Sequence, residues 1–466
     1  MTEPTGAQDA KFRSQFAAAR IAALDYGERS YGKPIQLETA GLSTHARSLP
    51  EYVYEKNCVL IADEHADTIV NGHLDAELQP GRGAPGVGVY RTGDETAMDA
   101  VTRLNKMDSL RGKAAVNHFL SICPVELCPA DEPVPLPVDT PPLPYPAQVA
   151  HGGANVHVTV VDTGQFTGYE IGHPWLVQGV GGEPQTGNPL LPGSDPLASP
   201  DPWPRGLVPE YYGHGVFVAG VLKCAAPDVT IAMINGFPFA GGTMEDMLGL
   251  ALCNALAADP KPDIISVSAG SMTIDDKSHL GLAPFFSELA KSETLLVAAA
   301  GNHGTSQHFW PAAYAKQAPD AVVSVGALRS DGQGRACFSA YGTSDDDWVS
   351  VYALGERHVN AFAAGGYAYV DPQRPDLTCR YYPERLYPTC TCVTMPPQGA
   401  VVAFRGMAQW SGTSFATPLV AGIIASYMSE HQGVSARDAA RVVLTQTDTI
   451  TDHDIVLHAL RTGIRP

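Results

Sequence analysis

From about residue 150 the apolar residues come in short, nearly unbroken runs. They are 156–162 (VHVTVVD), 226–236 (APDVTIAMING), 262–270 (PDIISVSAG), 293–302 (ETLLVAAAGN) and 321–327 (AVVSVGA). Such β-branched runs read as strands buried on both faces. Between them lie stretches with apolar residues at helical spacing: 213–225, 243–259 and 280–292. Strand and helix in alternation predict an α/β body with a mostly parallel sheet, its ligand site beyond the carboxyl ends of the strands.

Ahead of residue 150 the rhythm differs. Residues 9–27 read as helical inside an extension, 1–50, that is otherwise polar and irregular. Residues 51–122 form a small α/β pattern: strands at 57–63 and 86–92, an amphipathic helix at 95–107 and a third strand at 114–122 (AAVNHFLSI). Residues 123–149 are Pro-rich and predict an extended linker, since proline suits neither a sheet centre nor a helix interior. The body then spans 150–466, with two stretches that read as loop insertions, 165–212 and 355–408. No repeat is evident.

Composition narrows the function classes. The 466 residues are 44% hydrophobic and 17% charged, enough for a sizeable core. A net charge of −19 argues against nucleic acid or an anionic membrane as partner and suits a soluble chain. No apolar stretch is long enough to span a bilayer, and the N-terminus lacks the pattern of a secretory signal, so a cytoplasmic location is expected. Nine cysteines, an odd number, fit reduced thiols better than a full disulfide framework.

Three motifs fall where such a sheet places its site. Asp162 ends the first strand in VVDTG, His214 opens a helix in GHGVFVAG, and Ser414 precedes the helical run FATPLVAGIIASYM. Each has a plainer role taken singly: a turn acid, a structural histidine, a helix N-cap. Pro418 is expected in the first helical turn, where its missing N–H matters least. Together the three supply an orienting acid, a base that titrates near neutrality and a hydroxyl that needs a base to become nucleophilic. Asn302, after a strand and a glycine in AAAGNHG, offers a side-chain N–H to a developing oxyanion, with the Ser414 N–H as second donor.

With VVDTG, GHGVFVAG, SVSAG, AAAGNHG and SGTSFATPLVAG in this order, the chain resembles the subtilisin-like serine proteases over roughly residues 150–450. The resemblance implies a three-layer subtilisin-like fold and a serine endopeptidase that acts on protein or peptide substrates through Asp162, His214 and Ser414, with Asn302 as oxyanion donor. It also implies that Ser268, Ala269 and Gly270 line the S1 pocket and pair with substrate backbone, near Gly301. Two departures stand out. Val216 and Phe217 replace the family's usual Thr and His. His303 and Phe309 sit where the family builds the S1 mouth and floor, which predicts a narrowed, selective pocket, unless both only pack against 165–212. Residues 51–122 weakly resemble the family's propeptide, an inhibitor and folding aid; a regulatory partner-binding module is the other reading. A catalytically quiet scaffold and a dedicated precursor-maturation protease are the alternatives for the whole.

No cofactor is required for this chemistry. The resemblance allows structural calcium. The acidic run 344–348 (SDDDW) reads instead as a solvated surface. Cys379, Cys390 and Cys392, with His358 upstream, offer zinc ligands, but Cys-x-Cys is not a usual finger spacing, and free thiols or one 379–390 disulfide are preferred.

Overall fold

The computed structural model describes residues 6–40, 52–122, 132–137, 139–143, 151–166, 168–177, 179–183, 207–208, 211–239, 241–369, 400–452 and 455–461. Most of the expected 165–212 and 355–408 insertions, part of 123–149, and Cys123, Cys128, Cys379, Cys390 and Cys392 lie outside these residues. Cys58, Cys224, Cys253 and Cys337 are not in disulfides.

The helix Gly6–Tyr31 leads into five antiparallel strands, β1 (Leu37–Ala40), β2 (Tyr52–Ala62), β3 (Ala76–Leu78), β4 (Val87–Thr92) and β5 (Ala114–Ile122). The helices Asp63–His73 and Ala97–Asn105 cover this sheet. The second starts where Thr96 Oγ1 accepts the Asp99 N–H, and it buries Ala97, Ala100, Val101 and Leu104 at helical spacing. β1 falls in the stretch the sequence pattern reads as irregular; it forms because β2 supplies its partners.

After β6 (Val134–Pro135) come β7 (His157–Asp162), β8 (Val180–Gly182), β9 (Thr230–Asn235), β10 (Gly242–Met244), β11 (Ile264–Val267), β12 (Ala269–Gly270), β13 (Leu295–Ala299), β14 (Val322–Leu328) and β15 (Val351–Leu354). Then follow β16 (His358–Ala368), β17 (Val401–Trp410), β18 (Asp448–Asp452) and β19 (Ile455–Ala459). The central sheet has nine strands in the order β18-β19-β15-β14-β13-β11-β7-β9-β8, all neighbours parallel except the β18–β19 hairpin. β11 and β13 are buried along their whole length, as their unbroken apolar runs require. The helices His214–Ala225, Glu245–Leu256, Ala283–Leu289, Thr413–Glu430 and Ala436–Thr445 complete the body.

Two sequence expectations need correction. The described ends of 355–408 are not loops: β16 and β17 pair antiparallel over most of their length. Part of the linker is likewise docked, with β6 adding to β17 and Leu143 exchanging backbone hydrogen bonds with Val359. Proline at a strand edge costs no ladder bond, which is why this segment still pairs.

The first sheet does not stop at β5. β10 adds antiparallel to one edge of β5, with Met244, Thr243 and Gly242 opposite Phe119, Leu120 and Ser121. β12 adds to the other, with Gly270 and Ala269 opposite Ser121 and Ile122. Leu120 and Ile122 are buried in the core of the nine-stranded body. A Cβ on Gly242 would sit 1.9 Å from the Phe119 ring, so only glycine permits this approach.

Beneath this joint lies a buried ionic network. Arg82 holds Glu55 with two bonds of 2.8 Å and Asp246 with two of 3.0 Å. Asn117 donates to Glu55 at 2.8 Å and to Asp246 at 2.7 Å. Glu55, Arg82 and Asn117 come from the N-terminal sheet region; Asp246 is the second residue of the Glu245–Leu256 helix. Such a network is costly to desolvate and costly to break, so it fixes one docking geometry.

Candidate active site

β7 delivers Asp162 at its carboxyl end, where the Thr163 N–H donates to Oδ1 at 2.7 Å. His214 opens its helix after Gly213, whose φ of 80° turns the chain sharply. Its Nδ1–H points between the Asp162 carboxylate oxygens, at 2.8 and 3.0 Å. Both side chains are buried. A Cβ on Gly215 would lie 2.8 Å from the Gly164 carbonyl oxygen, so glycine lets helix and strand meet. The Gly215 N–H is accepted by Thr163 Oγ1 at 3.0 Å.

Aromatic rings enclose the imidazole: Trp410 edge-on at 5.2 Å, Phe415 at 5.4 Å and Tyr211 at 6.3 Å. Phe217 is fully buried, 4.6 Å from Phe415 and 5.6 Å from Trp410. The departure at Phe217 thus extends the same aromatic cluster, and it leaves the Asp162–His214 pair intact.

Ser414 is the second residue of the Thr413–Glu430 helix and follows directly on the strand end that carries Trp410. Its hydroxyl donates to the Ser268 carbonyl at 3.3 Å, and Ser268 Oγ donates to the Ser414 carbonyl at 2.9 Å. The second bond has a covalent cause. Pro418 lies one turn further into the helix than the sequence reading places it, and it lacks the N–H that would pair with the carbonyl four residues back. That carbonyl belongs to Ser414, and Ser268 takes it instead.

Asn302 Oδ1 accepts both the Thr413 N–H at 2.9 Å and the Thr413 hydroxyl at 2.8 Å. Two donors on Oδ1 fix the amide, so Nδ2 faces the other way. A Cβ built on Gly412 would lie 3.4 Å from Asn302 Nδ2 and 3.6 Å from the Ser414 N. The space left open by Gly412 therefore has an N–H donor on two sides, at the positive end of a helix.

The comparisons with known proteins bear on the family. The sequence profile of the subtilase family, Peptidase S8, matches residues 153–463. The chain belongs to the subtilase family. A thermophilic serine proteinase of Bacillus sp. (strain AK1) is 31% identical over 169 residues, 34% of this chain and 38% of that protein. Fervidolysin of Fervidobacterium pennivorans, a keratinolytic enzyme related to subtilisin, aligns with 88% of this chain and 61% of its own at TM-score 0.53 and 19% identity, a likeness of fold. The patellamide maturation protease aligns with 67% of this chain and 96% of its own at TM-score 0.45 and 21% identity. This subtilase spans less than two thirds of the length of either of the first two.

The remaining sequence-predicted residues of the subtilase site gather beside Ser414. β12 brings Ala269 and Gly270 next to Ser268, and the Ser271–Trp310 bridge brings Phe309 against them. A Cβ on Gly270 would lie 2.6 Å from the Phe309 ring, and one on Gly301 would lie 2.8 Å from Phe309 and 2.9 Å from His303 Nδ1. His303 donates through Nε2 to the Gln307 carbonyl at 2.9 Å and faces the Phe309 ring at 5.6 Å. His303 and Phe309 thus pack on one another and on the two glycines.

Sequence reasoning missed two contributors. Thr413 locks Asn302, yet it lay inside the quoted serine motif. β10 borders β5, but 243–259 read as one helix; the helix begins only at Glu245. Of the metal candidates, His358 is buried with Nε2–H on the Leu354 carbonyl at 2.8 Å, and its cysteine companions lie outside the described residues. In the acidic run Asp345 and Asp347 are exposed, and Asp346 pairs with Lys316 at 2.6 Å. Among the described residues no helix is long and apolar enough to cross a membrane.

Proposed function

We propose that this subtilase is a serine endopeptidase, held latent by its own N-terminal region. The observation that carries the hydrolytic reading is the buried Asp162–His214 pair beside Ser414 and the two-sided donor space at Gly412. Ser414 Oγ attacks a peptide carbonyl carbon as His214 takes the hydroxyl proton. Asp162 holds the imidazole tautomer and stabilises the imidazolium. Asn302 Nδ2 and the Ser414 N–H receive the carbonyl oxygen as it gains charge. His214 then returns the proton to the leaving amine, and water, deprotonated by His214, releases the acid from Ser414.

In the resting arrangement the Ser414 hydroxyl donates to the Ser268 carbonyl at 3.3 Å, and that bond must be released before His214 takes its proton. Latency is supported by β5. It fills the place of an extended peptide between β10 and β12, and the Ile122 N–H donates to the Gly241 carbonyl at 2.9 Å. Its ladder ends at Ala269, next to the Ser268 carbonyl that Ser414 contacts. Strand addition of this kind satisfies the backbone groups a substrate would use. Phe309 and His303, packed on Gly270 and Gly301, support a shallow S1 pocket selective for small P1 side chains.

The test is covalent labelling by a fluorophosphonate together with intact mass. The wild-type chain is expected to label after its N-terminal region has been cut away, and slowly before. Ser414→Ala should lose labelling and lower kcat by on the order of 10⁶-fold. Absence of Ser414-dependent labelling both before and after cutting overturns the hydrolase reading. Equal labelling in both states overturns latency alone.

A further inference from the structure

Three side chains outside the Ser414 site meet where β5 crosses the Glu245 helix. His118 comes from β5, Glu245 opens its helix, and His279 lies in the following loop. All three are buried, and one ligand-capable atom from each lies within 4.8 Å of the others. His118 Nδ1 is 2.6 Å from Glu245 Oε2, and the two imidazole rings meet edge-on at 5.3 Å.

The surroundings fix these groups as an outer shell fixes metal ligands. The Gly281 N–H donates to Glu245 Oε1 at 2.6 Å, which leaves Oε2 turned to the histidines. His279 Nε2 is 3.0 Å from the Ser271 hydroxyl. With Nε2–H donated there, Nδ1 carries a bare lone pair, and it has no hydrogen-bond partner despite complete burial. Buried polar atoms are rarely left so.

Glu245 is buried, and the neighbouring guanidinium, Arg82, pairs with Glu55 and Asp246 instead. Two imidazole nitrogens and a carboxylate make a ligand set that suits zinc-like divalent cations.

We infer that His118, Glu245 and His279 form a binding site for a divalent transition-metal cation of the zinc class, which fastens β5 to the body of the subtilase. Zinc bonds of about 2.0–2.2 Å in a tetrahedron set ligand atoms about 3.3 Å apart. The observed spread, 2.6 Å at one edge and up to 4.8 Å, brackets that value. Loading requires the His118 proton to sit on Nε2 in place of Nδ1, which gives up the long 3.4 Å contact from the Ile274 N–H. Metal binding stands on these residues alone; its role as a latch rests on the latent reading above.

The test uses the full chain carrying Ser414→Ala, so that no self-cleavage removes β5. After dialysis against a chelator, it is titrated with ZnCl₂ and its zinc content measured. One zinc per chain is expected at this site, with affinity reduced more than roughly tenfold in His279→Ala and in Glu245→Gln. Cobalt(II) in place of zinc should show visible ligand-field bands without thiolate charge transfer. Glu245→Gln keeps groups for His118 and Gly281, so it guards against a folding defect in His279→Ala, and thermal melts of the metal-free forms check this. No zinc uptake, uptake unchanged in both variants, or a thiolate-dominated cobalt spectrum overturns the site. Because zinc content is read without activity, a failure here is distinct from a failure of the protease reading.

Discussion

Among the described residues of this subtilase, two buried histidine–carboxylate pairs stand out. Asp162–His214 closes at 2.8 Å and Glu245–His118 at 2.6 Å. By distance and burial they are alike. Around His214 stand a helix-end serine, two converging N–H donors and a wall of aromatic rings. Around His118 stand a second histidine and the Ile274 N–H, and His118 and Glu245 come from opposite sides of a joint. The difference teaches that a paired imidazole is only a base in waiting. What it does is set by what lies within reach of its other nitrogen.

The sharpest test of the comparison removes each pair's support in turn. His214→Ala should lower kcat by on the order of 10⁶-fold with KM little changed, because the proton acceptor is lost in the transition state. A loss below about tenfold would show that the pair at β7 is not the catalytic one. Asn302→Ala should cost about 10²–10³-fold in kcat, since the Ser414 N–H remains to hold the oxyanion. An equal rise in KM instead would place Asn302 in ground-state binding.

Arg82→Met addresses the other pair's neighbourhood. It leaves Glu55 and Asp246 buried without their cation and should cost about 3–5 kcal/mol in a denaturant melt of the uncut chain. A melt unchanged from the parent chain would show that the network does not hold the joint.

The smallest effect is a matter of pH. Burial pushes His358 down to about 4. Its ring lies 6.1 Å from Phe415, beneath the Ser414 helix. The unfolded chain takes up that proton from about pH 6.5 downward, before the native state does. Stability is therefore full above pH 6.5 and falls by about 3 kcal/mol as the pH drops to about 4. His358→Gln should flatten that acid-side loss in melts at pH 5 against pH 7. An unchanged slope would assign it to other groups.

The Ser414 site was legible because its residues sit in local motifs. Asp162 at a strand end, His214 between two glycines and Ser414 before a small-residue helix each announce themselves within about ten residues. Phe217 was visible as a departure, but its part in the cluster around His214 depended on Phe415 and Trp410, nearly 200 residues later. The real place of Pro418, which frees the Ser414 carbonyl for Ser268, was misjudged because a helix start is hard to fix to within one turn from sequence. The His118, Glu245 and His279 cluster left no signal, for its members are separated by more than a hundred residues in one case and fall in unrelated patterns.

The sequence by itself determined the alternating strands and helices of the body, the small α/β unit before it and the residues proposed for the hydrolytic chemistry. Periodicity, glycines and short motifs are properties of neighbouring residues. Only the tertiary structure decided that β5 lies between β10 and β12, and that a buried charge network and two histidines meet at that joint. Strand pairing and charge compensation are made between distant segments, and no local pattern encodes which distant partner will complete them.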